Sequence, residues 1–266
     1  RAYTARDPMV GELMLRPDFT VPVVEMHLAR GGGAARYAYA GRVFRRQEPG
    51  SDRPSEYDQV GFECFGDDDA AAAEAEAFAV FAELLRGRPL RPATGDIGIL
   101  REAVQSLSTS EARKGALLRH LWRPPRFRTL LERFSRPVET RAQQDHAPAI
   151  GLRSQAEVDK RLEALQADAA ETPLPANEAE TISAILALKT KLPNAVDQLA
   201  TLMGETPSVT RMRARLEALS SRGVDVAALD FEGSYGRTNM EYYDGFVFGF
   251  FAAEAPLPPV ATGGRY

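Results

Sequence analysis

The sequence has few of the residues that support disulfide or metal chemistry. Its 266 residues include one cysteine, Cys64, and three histidines. A single cysteine excludes an intramolecular disulfide and favours a reducing compartment, which predicts a cytoplasmic protein. His27, His120 and His146 are scattered without the spacing of metal ligands. No phosphate-binding loop or nucleophile motif occurs, so we expect no metal, no cofactor and no catalytic residue.

An excess of positive charge is also missing. The chain has 33 Lys and Arg residues against 37 Asp and Glu residues, a formal net charge of −4. This balance argues against a nucleic-acid or membrane partner, which would call for a basic excess. Apolar runs fall well short of the ~20 residues of a membrane helix, and no secretory signal opens the sequence. Because the first residue is Arg1, we expect the chain to be incomplete at one or both ends.

Glycine and aromatic residues concentrate near both ends of the chain, around residues 10–66 and 225–266, whereas the middle is rich in Ala, Leu, Glu and Arg. This distribution predicts an α+β protein with a mainly helical middle. We divide it into a first core segment at 1–98, a helical segment with an insertion at 99–224 and a second core segment at 225–266. The clearest helices are expected over residues 157–165, 178–192 and 209–219.

The first core segment predicts a helix and a hairpin. A helix over residues 21–28 follows Asp18 and Thr20, either of which can cap it. Strands over residues 36–46 and 56–65 are joined by a link rich in turn-forming residues, which indicates an antiparallel hairpin.

The second hairpin strand has two different faces, since side chains alternate along a strand. The apolar residues at 60, 62 and 64 share one face, which we expect in the core. Gln59, Gly61 and Glu63 share the other, a polar and hollow surface that suits a small polar ligand because a strand glycine often allows close approach. A water-facing edge strand is the alternative interpretation, and this hairpin alone leaves both open.

A second strand, predicted over residues 242–251, has a similar pattern. Tyr243, Gly245 and Gly249 share a face with Val247 and Phe251. Two glycines beside a tyrosine indicate a cavity with a hydroxyl at its mouth, suited to a ligand with amine and ring N–H groups. A tightly packed corner of the sheet is the alternative.

Five motifs occur in an order that resembles a known family. They are Leu-Arg-Pro-Asp-Phe-Thr at 15–20, Arg-Val-Phe-Arg-Arg-Gln at 42–47, Gln-Val-Gly-Phe-Glu at 59–63, Tyr-Tyr-Asp-Gly-Phe-Val-Phe at 242–248 and Gly-Gly-Arg-Tyr at 263–266. They resemble histidyl-tRNA synthetases, and still more closely their non-catalytic paralogues, the regulatory subunits of ATP phosphoribosyltransferase. The resemblance implies a class II aminoacyl-tRNA-synthetase-like antiparallel sheet flanked by helices, with a helical insertion.

The resemblance also implies a histidine site. Asp18, Thr20 and Gln59 match positions that hold the α-amino group, and Glu63 and Tyr243 match positions at the imidazole. Arg45 matches an arginine that contacts phosphate and carboxylate in the synthetase. The implied histidine-binding set is Asp18, Thr20, Arg45, Gln59, Glu63, Tyr242 and Tyr243.

Departures from the synthetase pattern favour the paralogue. The synthetase has a catalytic arginine four residues before the first tyrosine, where this chain has Thr238, and Arg237 is one position away. We therefore predict a regulatory subunit in histidine biosynthesis that forms a hetero-oligomer with a short-form catalytic subunit, self-associates as a dimer and responds to histidine. A synthetase core fragment that activates histidine with ATP is the alternative, and an orphan paralogue is a third.

Overall fold

The computed structural model describes residues 2–51, 53–66, 68–137, 154–237, 242–253 and 258–266. The chain forms two compact units, Arg1–Ala73 and Glu74–Tyr266, and their boundary lies within one helix. These units do not coincide with the three segments expected from the sequence. That division follows stretches of sequence rather than compact bodies, and it stays a prediction.

The first unit contains two hairpins and a helix between them. Strands β1 (Thr4–Asp7) and β2 (Gly11–Met14) pair antiparallel, and helix α1 (Thr20–Ala29) follows. Strands β3 (Ala35–Phe44) and β4 (Glu56–Phe65) then form the second antiparallel pair. The predicted hairpin and the helix before it are confirmed.

The prediction that the apolar face of the β3–β4 hairpin enters the core is wrong. Val60 is 68% exposed, whereas Glu63 on the opposite face is 9% exposed. The reason lies in α1, whose Val23 packs with Phe19 and Val43 in a small core. The aromatic residues that surround this core come from the same hairpin face as Glu63 and are Tyr37, Tyr39, Tyr57 and Phe65.

The predicted side-chain cap of α1 is also wrong. The N-cap residue is Phe19, which offers no side-chain oxygen and makes no side-chain cap hydrogen bond. Thr20 is the first helical residue, and its hydroxyl donates to Glu63 instead. The start of the helix thus contributes a hydroxyl to the hairpin face.

A five-stranded sheet organises the second unit, with the strand order β6-β7-β5-β8-β9. Strands β5 and β7 pair parallel, and the other neighbours pair antiparallel. The strands are β5 (Leu90–Asp96), β6 (Lys189–Lys191), β7 (Asp230–Glu232), β8 (Phe246–Ala252) and β9 (Ala261–Gly264). The strand expected over residues 242–251 starts later, so Tyr242 and Tyr243 precede β8 rather than lie on it.

Helices make up most of the rest of the second unit, and the α+β class is confirmed. The helix expected over residues 178–192 is interrupted, because β6 separates α7 from α8. No described helix is both long and apolar enough to span a membrane. The helices are α2 (Ala70–Leu84), α3 (Ile97–Gln105), α4 (Glu111–Arg119), α5 (Pro124–Phe134), α6 (Gln155–Ala170), α7 (Ala176–Ala187), α8 (Leu192–Met203) and α9 (Pro207–Ser221).

The core of the second unit lies between these helices and one face of β8. Phe246, Phe248 and Phe250 alternate along β8, and all three contact Phe78 of α2. Burying four aromatic rings supplies several kcal/mol at ~25 cal/mol per Å² of apolar surface. This contact fixes α2 on the sheet.

A buried arginine connects three elements beside these rings. Arg215 of α9 is 1% exposed and pairs with Glu74 of α2 at 2.6 Å and with Asp96 of β5 at 2.8 Å. Its guanidinium also lies 4.3 Å from the ring centre of Phe246. Asp96 accepts the backbone N–H of Gly98, which caps α3. One cation therefore pairs with two buried carboxylates, one of which caps the start of a helix.

Removing this cation should destabilise the protein strongly. We expect Arg215→Met to lower the free energy of unfolding by about 3–5 kcal/mol, because Asp96 would stay buried without a counterion and Glu74 would keep only the more distant Arg265. Urea denaturation measures the change. The matched control is Arg213→Met on the same helix, whose pairs with Asp197 and Glu205 are exposed and worth at most ~1 kcal/mol. Equal losses in the two variants would contradict this account.

Candidate functional site

The hairpin of the first unit places the predicted polar residues on one face. Tyr39 stands opposite Gly61, and Gly41 stands opposite Gln59 in the antiparallel register. Cross-strand partners point to the same side of a sheet. The side chains of Gln59 and Glu63 therefore share their face with Tyr39.

The ring of Tyr39 fills the space left by Gly61. A Cβ atom at position 61 would lie 2.2 Å from the Tyr39 hydroxyl, which no side chain tolerates without a shift. Phe19 stacks on the other side of the ring, with centroids 4.7 Å apart. The hollow predicted at Gly61 is thus occupied by a neighbouring tyrosine, and its hydroxyl becomes the centre of the polar face.

Four of the sequence-predicted residues surround that hydroxyl. Thr20 Oγ1 donates to Glu63 Oε1 at 3.0 Å, and the Tyr39 hydroxyl is 3.5 Å from the same oxygen. Burial is the main reason that the pKa of Tyr39 rises from 10.0 to about 12. The charges of Glu63 and Asp18 add to the increase, while hydrogen bonds from Gln59 and Thr20 oppose it. The structure therefore brings Asp18, Thr20, Gln59 and Glu63 together.

Gln59 brings an acceptor to this face. Its Oε1 is buried and has no hydrogen-bond partner among the described residues. A buried polar atom without a partner costs about 1–3 kcal/mol, and a donor placed beside it recovers that energy. The face can accordingly accept hydrogen bonds from a ligand at both a carboxylate oxygen and an amide oxygen.

Arg45 holds the backbone next to this cluster. Its Nε donates to the carbonyl of Pro17 at 2.8 Å, one residue before Asp18, and its guanidinium lies 5.7 Å from the ring centre of Tyr57. The side chain itself is exposed. Arg45 thus positions the segment that carries Asp18.

The tyrosine pair belongs to the second unit. Tyr243 is 7% exposed and packs with Ile97 and Val247, whereas Tyr242 is 54% exposed. Their rings meet edge to face with centroids 4.6 Å apart, and Tyr242 also contacts Tyr266. Most of the Tyr243 side chain is therefore buried in a small apolar cluster, whereas Tyr242 is exposed.

The prediction of a cavity beside Tyr243 is wrong. A Cβ atom at position 245 would lie 2.3 Å from Arg265 Nε, and one at position 249 would lie 2.2 Å from the Tyr235 hydroxyl. Both glycines make room for side chains of the protein itself. The alternative of a tightly packed corner is the correct interpretation.

Arg237 has a structural partner in this unit. It is 4% exposed, its Nε donates to the carbonyl of Leu121 at 2.9 Å, and its guanidinium lies 4.8 Å from the ring centre of Phe127. Burial, with the charge of Arg128, lowers its pKa to about 10. Thr238, at the position of the synthetase arginine, lies outside the described residues.

Sequence reasoning missed Tyr39, Tyr235 and Arg265, the three side chains that fill the glycine positions. Alternation along β3 and the Gly-Gly-Arg motif could have pointed to Tyr39 and Arg265, but which glycine each one covers depends on register. Within the described ranges, no three His, Cys, Asp or Glu side chains are arranged to hold a metal ion.

Comparison with known proteins defines the class. The family profile described as Histidyl-tRNA synthetase matches residues 1–266, so the chain belongs to that family. A solved ATP phosphoribosyltransferase regulatory subunit/histidyl-tRNA synthetase from Bacillus halodurans superimposes with a TM-score of 0.71 at 21% identity. The superposition covers 100% of this chain and 61% of the Bacillus halodurans chain. The class II synthetase-like fold is confirmed.

Curated relatives refine the assignment. The ATP phosphoribosyltransferase regulatory subunit of Agrobacterium fabrum is 30% identical over 96% of this chain and 76% of its own length. That of Rhizobium rhizogenes is 27% identical over 100% of this chain and 79% of its own length. The chain belongs with these regulatory subunits, which confirms the regulatory interpretation over the synthetase alternative.

The titration of Tyr39 tests the geometry of the first unit. Its pKa of about 12 should fall in Glu63→Gln, because the nearby negative charge that disfavours the phenolate is removed. NMR of tyrosine ring carbons measures the titration, with Tyr39→Phe identifying the signal. The raised pKa stabilises the fold fully below pH 10, and this contribution is lost as the pH rises towards 12. An unchanged Tyr39 pKa in Glu63→Gln would contradict the contact.

Proposed function

We propose that this chain is a histidine-responsive regulatory subunit that binds free histidine at the polar face around Tyr39. The observation that supports the proposal most directly is the unpartnered Oε1 of Gln59 on the same hairpin face as the carboxylate of Glu63. A buried acceptor and a carboxylate on one face suit a ligand with an ammonium group and a ring N–H, and histidine has both.

The roles follow the resemblance, residue by residue. Glu63 accepts from the imidazole, while Gln59, Thr20 and Asp18 hold the α-ammonium group. Arg45, anchored on Pro17, offers a guanidinium to the carboxylate of the ligand. The resemblance also assigns Tyr243 to the imidazole and includes Tyr242, and these two assignments stay predictions of the resemblance.

Histidine binding should depend on the carboxylate of Glu63. Glu63→Gln keeps the shape of the side chain but removes a charge-assisted hydrogen bond, so we expect about tenfold or greater loss of affinity by calorimetry. Glu25→Gln, an exposed carboxylate on α1, is the matched control and should bind like the wild type. If the intact chain does not bind histidine, or if Glu63→Gln binds equally well, the site is elsewhere.

The partner in this proposal is a short-form catalytic subunit that joins ATP to phosphoribosyl pyrophosphate in the cytoplasm. An ATP phosphoribosyl transferase complex from Thermotoga maritima contains a chain of the same fold, with a TM-score of 0.56 at 14% identity over 98% of this chain and 79% of that chain. Self-association as a dimer is also proposed. The β1–β2 hairpin exposes Met9, Val10 and Met14, an apolar surface of the kind that oligomers bury.

Reconstitution tests the regulatory role. The catalytic subunit alone should form little phosphoribosyl-ATP, addition of this chain should raise the rate, and histidine should lower it again. This chain alone should make no product. Sedimentation of the mixture shows whether the active species is a hetero-oligomer that contains a dimer of this chain. Equal rates with and without this chain would refute the role, whereas inhibition that persists in Glu63→Gln would place the sensing site on the partner.

A further inference from the structure

One stretch of the second unit is basic, although the chain as a whole is acidic. Between Glu111 and Glu132 the sequence has six Lys or Arg residues and no Asp or Glu residue. The stretch forms α4, the turn after it and most of α5. Its charge is therefore concentrated where two helix ends meet.

Only part of this charge is neutralised. Arg113 is buried against Asp168, and Lys114 pairs with Glu111. The other four arginines are exposed and pair with no carboxylate in the part of the chain that the structure describes. We call this set the basic turn, and it consists of Arg119, Arg123, Arg126 and Arg128.

These arginines act on common neighbours. Partial burial, together with the charges of Arg126, Arg123 and Arg119, lowers the pKa of His120. The charge of Arg128 reaches the buried Arg237, whose Nη2 has no hydrogen-bond partner among the described residues. Three of the four arginines therefore act on one histidine, and the fourth acts on a buried cation.

Repulsion among clustered like charges destabilises the folded protein, and binding of an anionic partner relieves that repulsion. Exposed guanidinium groups at a helix–helix turn match carboxylates on a surface, since each can bond one in a bidentate way. A nucleic acid is disfavoured because the rest of the chain carries a negative excess, which gives a formal charge of −4 overall.

We propose that the basic turn is a docking surface for an acidic patch on the catalytic subunit. This inference rests on the proposed function, because it names the surface through which that partner is held. It commits to protein carboxylates as the occupant, and binding of RNA is an outcome of the test.

The turn is also in contact with the segment that carries Tyr243. Trp122, between Arg119 and Arg123 in sequence, packs against the cluster of Ile97, Tyr243 and Val247. Leu121 accepts the hydrogen bond from Arg237. A partner seated on the basic turn therefore presses on residues that contact Tyr243, which couples docking to that tyrosine.

The experiment uses charge reversal in the full chain. Arg123→Glu/Arg126→Glu should weaken binding to the catalytic subunit by about tenfold or more at low salt, with a smaller difference at high salt where charges are screened. The matched control is Arg161→Glu/Arg222→Glu, which makes the same charge change at exposed arginines outside the basic turn and should bind like the wild type. Thermal unfolding should show that both variants fold.

Trp122 gives an independent readout, because it is the only tryptophan in the sequence. In chain labelled with 5-fluorotryptophan, the single fluorine signal should shift when the catalytic subunit binds. An unchanged signal, or equal affinities for both charge-reversed variants, would overturn the inference. So would tight binding of an RNA oligonucleotide that the Arg123→Glu/Arg126→Glu variant loses. If the wild-type chain fails to bind the catalytic subunit at all, it is the proposed function that fails.

Discussion

The second unit depends on the neutralisation of buried charge by Arg215. A guanidinium with two carboxylate partners holds α9, α2 and the junction of β5 with α3 in one arrangement. Burial raises the pKa of Glu74, and the charge of Arg215 opposes that increase. Removal of Arg215 leaves a buried carboxylate without its counterion, which is far more costly than the loss of a surface pair. This constraint gives the helices and the sheet a single relative position.

The network continues to the C-terminal strand. Arg265 Nε lies 3.4 Å from Glu74 Oε1 and 3.2 Å from Asp244 Oδ1, directly over Gly245. The Gly-Gly-Arg motif that supported the family resemblance therefore has a structural role here. Its arginine fills the space at Gly245 and connects the strand to the same buried carboxylate that Arg215 neutralises.

The sequence alone predicted the local elements well and the packing poorly. The β3–β4 hairpin, α1 and the polar set of Gln59 and Glu63 follow from alternation and turn residues, which are local properties. The direction of each face does not, because Val60 is apolar and yet exposed while α1 covers the polar side. Which elements pack on which face is decided by contacts distant in sequence, and single-strand patterns do not contain them.

Glycines show the same limit most clearly. At both Gly61 and Gly245, one interpretation was that the glycine leaves space for a ligand. Each of these glycines instead accommodates a side chain of the protein. A glycine in a strand indicates that something approaches closely, without saying what it is. At Gly61 the residue that fills the space is Tyr39, so the interpretation failed for the cavity but located a polar cluster. At Gly245 the filler completes an ion network and leaves no space.

The position of Tyr243 bears on how a synthetase-like core can regulate without catalysing. Its ring lies over Gly264, the last residue of β9, and Trp122, which lies between α4 and α5, packs against its cluster. A histidine sensor of the proposed kind works only if histidine binds two states of the protein with different affinity. Tyr243, which the resemblance assigns to the imidazole, packs against Gly264, the neighbour of Arg265, and against Trp122. Under that assignment, a change imposed at Trp122 would therefore reach the ligand through the ring of Tyr243, because the two side chains pack in one apolar cluster.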